Sequence, residues 1–110
     1  MSDPVLSRWY RDYNKKYFLG ALPEPDAVRI FYGPCFKEFR QYGRTMGFEQ
    51  DAVEWDMHLD ELLEEHEPFA KLTLLHEMVH IKRWPDRRHG ELFRKEIEIL
   101  VLKGAYKGLL

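Results

Sequence analysis

A helix that is apolar on almost every side survives in water only if the rest of the chain wraps it, and residues Pro68 to about Lys82 describe such a helix. Pro68 suits its first turn, and Phe69, Leu72, Leu74, Leu75, Met78, Val79 and Ile81 leave no clean polar stripe. The segment is therefore expected to be central and buried. With 110 residues, 45% of them hydrophobic, the chain supports one such core, so a single domain over 1–110 is expected.

The flanking elements alternate in type. Ser2 or Asp3 caps a first helix with Pro4 in its first turn, and Leu6, Trp9, Tyr10, Tyr13 and Tyr17 recur at helical spacing until Gly20. Leu22-Pro23-Glu24-Pro25 breaks it, and Val28 to Tyr32 follows as a short strand ended by Gly33-Pro34. Tyr42 to Phe48 and Ala52 to Leu59 read as two strands of a hairpin joined around Gln50-Asp51. In the second, Val53, Trp55, Met57 and Leu59 form the packing face, with His58 among the wet residues. Leu92, Phe93, Ile97, Leu100 and Val101 define a last helix, roughly Gly90 to Lys103, followed by a frayed tail at Gly104 and Gly108. The expected class is α+β: a small three-stranded sheet, mixed or antiparallel, packed on the N-terminal, central and C-terminal helices.

Composition excludes several functions. A net charge of -2 argues against a dedicated high-charge nucleic-acid binder, and a single cysteine, Cys35, excludes an internal disulfide framework or Cys-rich zinc ribbon. The N-terminal residues lack the apolar stretch of a secretory signal, and no run of apolar residues is long enough to span a membrane, so a cytoplasmic protein is expected. The charge is nevertheless uneven. Glu54 to Glu67 holds seven carboxylates and no Lys or Arg, whereas Lys82 to Lys95 holds six basic residues. Lys82, Arg83, Arg87 and Arg88 are candidates for weak phosphate or substrate contact, although solvated surface explains such runs equally well.

The chemistry lies on the central helix, in His76-Glu77-Met78-Val79-His80. Residues four apart on a helix differ by about 40° in azimuth and about 6 Å in height, so both imidazoles face one point. Glu77 sits about 100° from His76, placed to reach a water near a metal held by the histidines but not to replace them as a ligand. With five histidines and twelve glutamates in 110 residues, about 0.02 occurrences of His-Glu-x-x-His are expected by chance. A catalytic zinc takes three protein ligands and leaves a fourth position open. On a continuous helix His89 would face the wrong side, but Trp84-Pro85 stops the helix and Asp86 favours a reversal, which returns His89 toward the pair. Glu91, Glu96 and Glu98 are the other candidates for that third position.

His76 to His80 followed by His89-Gly90-Glu91-Leu92-Phe93 resembles the SprT-like (Spartan-type) zinc metallopeptidase domain, whose pattern is HExxH, a short loop, His-Gly and a nearby Phe. Trp9 to Pro23, with Tyr17-Phe18-Leu19-Gly20-Ala21-Leu22-Pro23, is similar to the opening helix and turn of that family. The resemblance implies a minimal zincin fold, the strand near Trp55–Leu59 running along the cleft; with one cysteine, the zinc ribbon that family members often add is not expected here. It implies Zn2+ held by His76, His80 and His89, Glu77 as general base, and a protein or peptide substrate whose amide bonds are hydrolysed. Family members also cleave proteins crosslinked to DNA, and the basic cluster is the only feature here pointing that way. Two other readings compete: a gluzincin-type protease with a glutamate as third ligand, and a non-catalytic zinc-stabilised module binding protein or DNA. An oxyanion donor is required as well; a Tyr, an Arg or His58 is available, and spacing selects none. His66 reads as ordinary surface and Cys35 as a small apolar filler rather than a thiolate that blocks the metal.

Overall fold

The computed structural model describes residues 2–49 and 52–109. Helix α1 (Pro4–Tyr17) starts where the sequence places it, because the Asp3 carboxylate accepts hydrogen bonds from the backbone N–H groups of Val5 and Leu6 at 2.9 and 3.0 Å. It buries Leu6, Tyr10, Asn14 and Tyr17 along one stripe. The buried Asn14 amide is satisfied at both ends, donating to the Leu22 carbonyl and accepting from the Leu22 N–H at 3.1 and 3.0 Å. Tyr10 donates its hydroxyl to the Pro23 carbonyl at 2.6 Å, so the turn after the helix is fastened back onto it.

Strands β1 (Val28–Gly33), β2 (Gly43–Gly47) and β3 (Trp55–Asp60) form a mixed sheet in the order β1-β3-β2, with β1 parallel and β2 antiparallel to β3. The expected hairpin is present as the β2–β3 pair, Gly43 opposite Leu59 and Gly47 opposite Trp55. Its turn at Gln50-Asp51 lies outside the described residues. Between β1 and β2 runs a short helix, α2 (Cys35–Phe39), too short to show a helical apolar period in the sequence. The Asp60 carboxylate ties it down, accepting from the Phe36 N–H at 2.8 Å while also capping the turn after β3 through Leu62 N–H. Cys35 is fully buried there and burial pushes its thiol up to about 11, which fits a filler rather than a thiolate.

Helix α3 (Glu67–Arg83) is central, as expected: Ala70, Leu74, Leu75, Met78, Val79 and Ile81 are buried between α1, the sheet and α4 (Glu91–Leu102). Each fully buried aliphatic side chain of this kind contributes about 2 kcal/mol, enough together to offset the polar groups the same helix carries. The observed class is α+β, with a three-stranded sheet and four α-helices among the described residues. Among the described residues no helix is long and apolar enough to cross a membrane.

Three local expectations are corrected. Val53 is exposed, because β3 begins only at Trp55 and the preceding residues belong to the connection. The segment after α4 is not frayed: Gly104, at positive φ, lets the chain reverse, Ala105 donates to the Leu100 carbonyl and is itself buried, and Lys103 Nζ reaches the Tyr17 carbonyl at 3.1 Å. The strand along the cleft is β2 and not the Trp55–Leu59 segment, since β1 covers one edge of β3 and β2 the other.

Candidate metal centre and cleft

His76 and His80 stand one turn apart on α3 with ring centroids 4.9 Å apart. The helix ends at Trp84, and Asp86 makes the predicted reversal, accepting from the Arg88 N–H at 3.0 Å. His89 is thereby carried back, placing its Nε2 3.1 Å from that of His76 and 2.9 Å from that of His80. Buried Phe93, one turn into α4, lies under all three rings with centroid distances of 4.9, 4.8 and 4.8 Å. Among the described residues these three histidines are the one group whose donor atoms converge in the manner of a metal site.

The donor chemistry fits a zinc ion. Burial, reinforced by the neighbouring imidazoles, pushes His76 and His80 down to about 4, so both rings are neutral at pH 7 and present lone pairs rather than repelling charges. A tetrahedral ion with bonds of about 2.1 Å separates its ligand nitrogens by roughly 3.4 Å, a few tenths of an ångström wider than the 2.9 and 3.1 Å found, a gap that small ring rotations close. None of the three glutamates named as substitutes joins the converging donors or lines the cleft: Glu96 pairs with Lys82 at 2.5 Å, Glu91 with Lys95 at 3.5 Å, and Glu98 is exposed.

Glu77 is 4% exposed beside this triad. Burial pushes its carboxyl up to about 7, with a hydrogen bond from Thr45 pulling the other way, and a group poised there both takes and returns protons at neutral pH. The Thr45 hydroxyl donates to Glu77 Oε1 at 2.8 Å, so a residue of the edge strand fixes the carboxylate. Sequence reasoning missed Thr45 and its neighbours, yet a signal exists: Gly43, Thr45 and Gly47 are small at every second position of the strand, which lets its backbone approach α3. A Cβ on Gly43 would fall 2.6 Å from Thr73 Cγ2 and 3.0 Å from Glu77 Oε2. Gly43→Ala is accordingly expected to push β2 off the helix, costing about 1–3 kcal/mol and lowering the melting temperature by several degrees in a thermal scan.

Between β2 and α3 opens a cleft of about 630 Å3, with the triad and Glu77 along its floor. His58 is not part of it. Opposed to Arg44, it belongs to the sheet face turned away from α3, where its ring stacks on Phe31 at 4.6 Å. It is removed from the candidates for oxyanion stabilisation. Of the four basic residues, Arg83, Arg87 and Arg88 line one shallow hollow beside Trp84, whereas Lys82 is turned to Glu96; Arg88 is paired with Asp86, and the Arg87 guanidinium lies 4.6 Å from the Trp84 ring centroid at the cleft. Comparison with known proteins returns no matching family model, no matching curated protein and no matching solved structure.

Proposed function

We propose that this chain is a zinc-dependent peptidase of the SprT-like minimal zincin type, hydrolysing peptide bonds in extended protein segments. One observation carries the reading: three imidazole Nε2 atoms converge beside a buried glutamate, on the floor of a cleft walled by an edge strand. A purely structural zinc site fills its coordination with protein groups and has no use for Glu77.

His76, His80 and His89 would hold the ion, which when bound supplies Lewis-acid polarisation of a carbonyl and a lowered water pKa. Glu77, oriented by Thr45, takes a proton from the water as its oxygen bonds to the scissile carbon, and passes that proton to the amine as the carbon–nitrogen bond breaks. On its open side β2 offers backbone N–H and carbonyl groups to an extended chain, which binds with little regard to sequence. Paired as they are, Lys82 and Arg88 lend little support to a DNA-directed role. A single free cysteine suits a reducing compartment and a cytoplasmic site of action.

The test is casein cleavage by protein stripped with a chelator and reloaded with one equivalent of zinc. Cleavage lost on stripping and restored by stoichiometric zinc is expected. Failure of the protein to retain zinc, or casein cleavage indifferent to the chelator, overturns the reading.

A further inference from the structure

We propose that Arg87 makes the cleft selective for an acidic side chain close to the bond being cut, an inference that rests on the peptidase reading above. Arg87 lines the cleft together with Trp84 and the histidines, and its guanidinium is laid against the Trp84 ring. That ring is a fixed platform. Its Nε1 donates to the Glu49 carbonyl at 3.2 Å, it meets Trp55 edge-on with centroids 5.1 Å apart, and it sits over Gly47, where a Cβ would come within 3.0 Å of it. The cation is thus placed beside the triad rather than left to sweep through solvent.

Among the described residues it is also uncommitted. Lys82 and Arg88 spend their charges on Glu96 and Asp86, whereas among the described residues Arg87 has no carboxylate within salt-bridge distance. Glu77 does not serve it, being buried and bonded to Thr45. At the opposite end Tyr42 and Leu72 are uncharged, and Arg44, which also borders the cleft, lays its guanidinium against Phe39 at 3.9 Å, so the two ends differ in what they attract. A guanidinium fork matches a carboxylate with two parallel hydrogen bonds, which an amide side chain does not reproduce and a lysine opposes. The favoured substrate is an extended peptide with Asp or Glu a residue or two from the scissile bond, on the Trp84 side.

The test measures binding apart from cleavage. Zinc-loaded Glu77→Gln protein is titrated, by fluorescence anisotropy, against two labelled ten-residue peptide pools that differ only in carrying one central Glu or one central Gln. The Glu pool is expected to bind about tenfold more tightly. Adding Arg87→Gln should bring the pools level by weakening the Glu pool alone, and adding Arg87→Glu should turn the preference toward a third pool carrying Lys. Equal affinities, or no binding of any pool, overturn the proposal. So does a single-stranded oligonucleotide that outcompetes the Glu pool and loses its affinity on Arg87→Gln, which would reassign the guanidinium to phosphate. Should the Glu pool bind as expected while the unmutated zinc protein leaves casein intact, the carboxylate site stands and the peptidase reading falls.

Discussion

Replacing His89 with alanine is expected to lower zinc affinity by about a hundredfold or more while leaving the melting temperature in chelator nearly unchanged. The ring is exposed and sits on a connection between helices, so its loss opens no core cavity. Its Nε2 nevertheless completes the triad, and a site reduced from three protein ligands to two loses most of its hold on the ion. Titration against a chromophoric chelator reads the change directly. Glu96→Ala is the informative contrast, because that carboxylate faces Lys82 and its removal should leave zinc affinity where it was. The reverse pattern would return the third position to a glutamate.

The second large effect belongs to Glu77→Gln, which should cut casein hydrolysis by about a hundredfold to ten-thousandfold without loss of bound zinc. It carries a stability signature as well. Glu77 titrates at about 7 in the fold against 4.5 as its ordinary value, so the folded state holds the extra proton between those limits. Its stabilising influence is complete below about pH 4.5 and is lost as the pH rises through 7. Glutamine stays neutral and still accepts from Thr45, so the metal-free variant should gain on the parent protein as the pH rises from 5 to 8, by on the order of 3 kcal/mol. Denaturant unfolding of both metal-free proteins across that range checks it, and parallel curves would mean that the carboxylate is solvated. His76 and His80 act with the opposite sign: pushed down to about 4, they leave the unfolded chain binding more protons, so metal-free stability from this pair falls as the pH drops from 6.5 toward 4.

What could be read from residue order alone was whatever is local. The cap at Asp3, the aromatic stripe of α1, the enclosed α3 and the return of His89 past Trp84 and Asp86 all depend on neighbours within a turn or two. Strand order is not local. The reading of Trp55–Leu59 as the cleft strand failed because the parallel pairing of β1 with β3, which buries that strand in the middle, joins segments separated by α2 and β2. Partner choice was hidden for the same reason. Lys82 and Arg88 looked like free cations until α4 and the Asp86 turn brought Glu96 and Asp86 to them. Thr45 gave no sign of its bond to Glu77 because nothing in its own strand reports which helix lies across it.

The alternation of small residues in β2 has a consequence for how the cleft can diversify. Gly43, Thr45 and Gly47 are held small by what lies behind them, and Arg44 and Met46 project to the far side of the sheet. From Gly43 to Gly47 that bank is consequently main chain, a generic rail that cannot be rewritten by point mutation without displacing Glu77 or Trp84. On the peptidase reading, substrate choice is retuned from the ends of the opposite bank, at Leu72 and Arg87, because Thr73, Glu77 and Trp84 between them are held by Gly43, Thr45 and the Glu49 carbonyl.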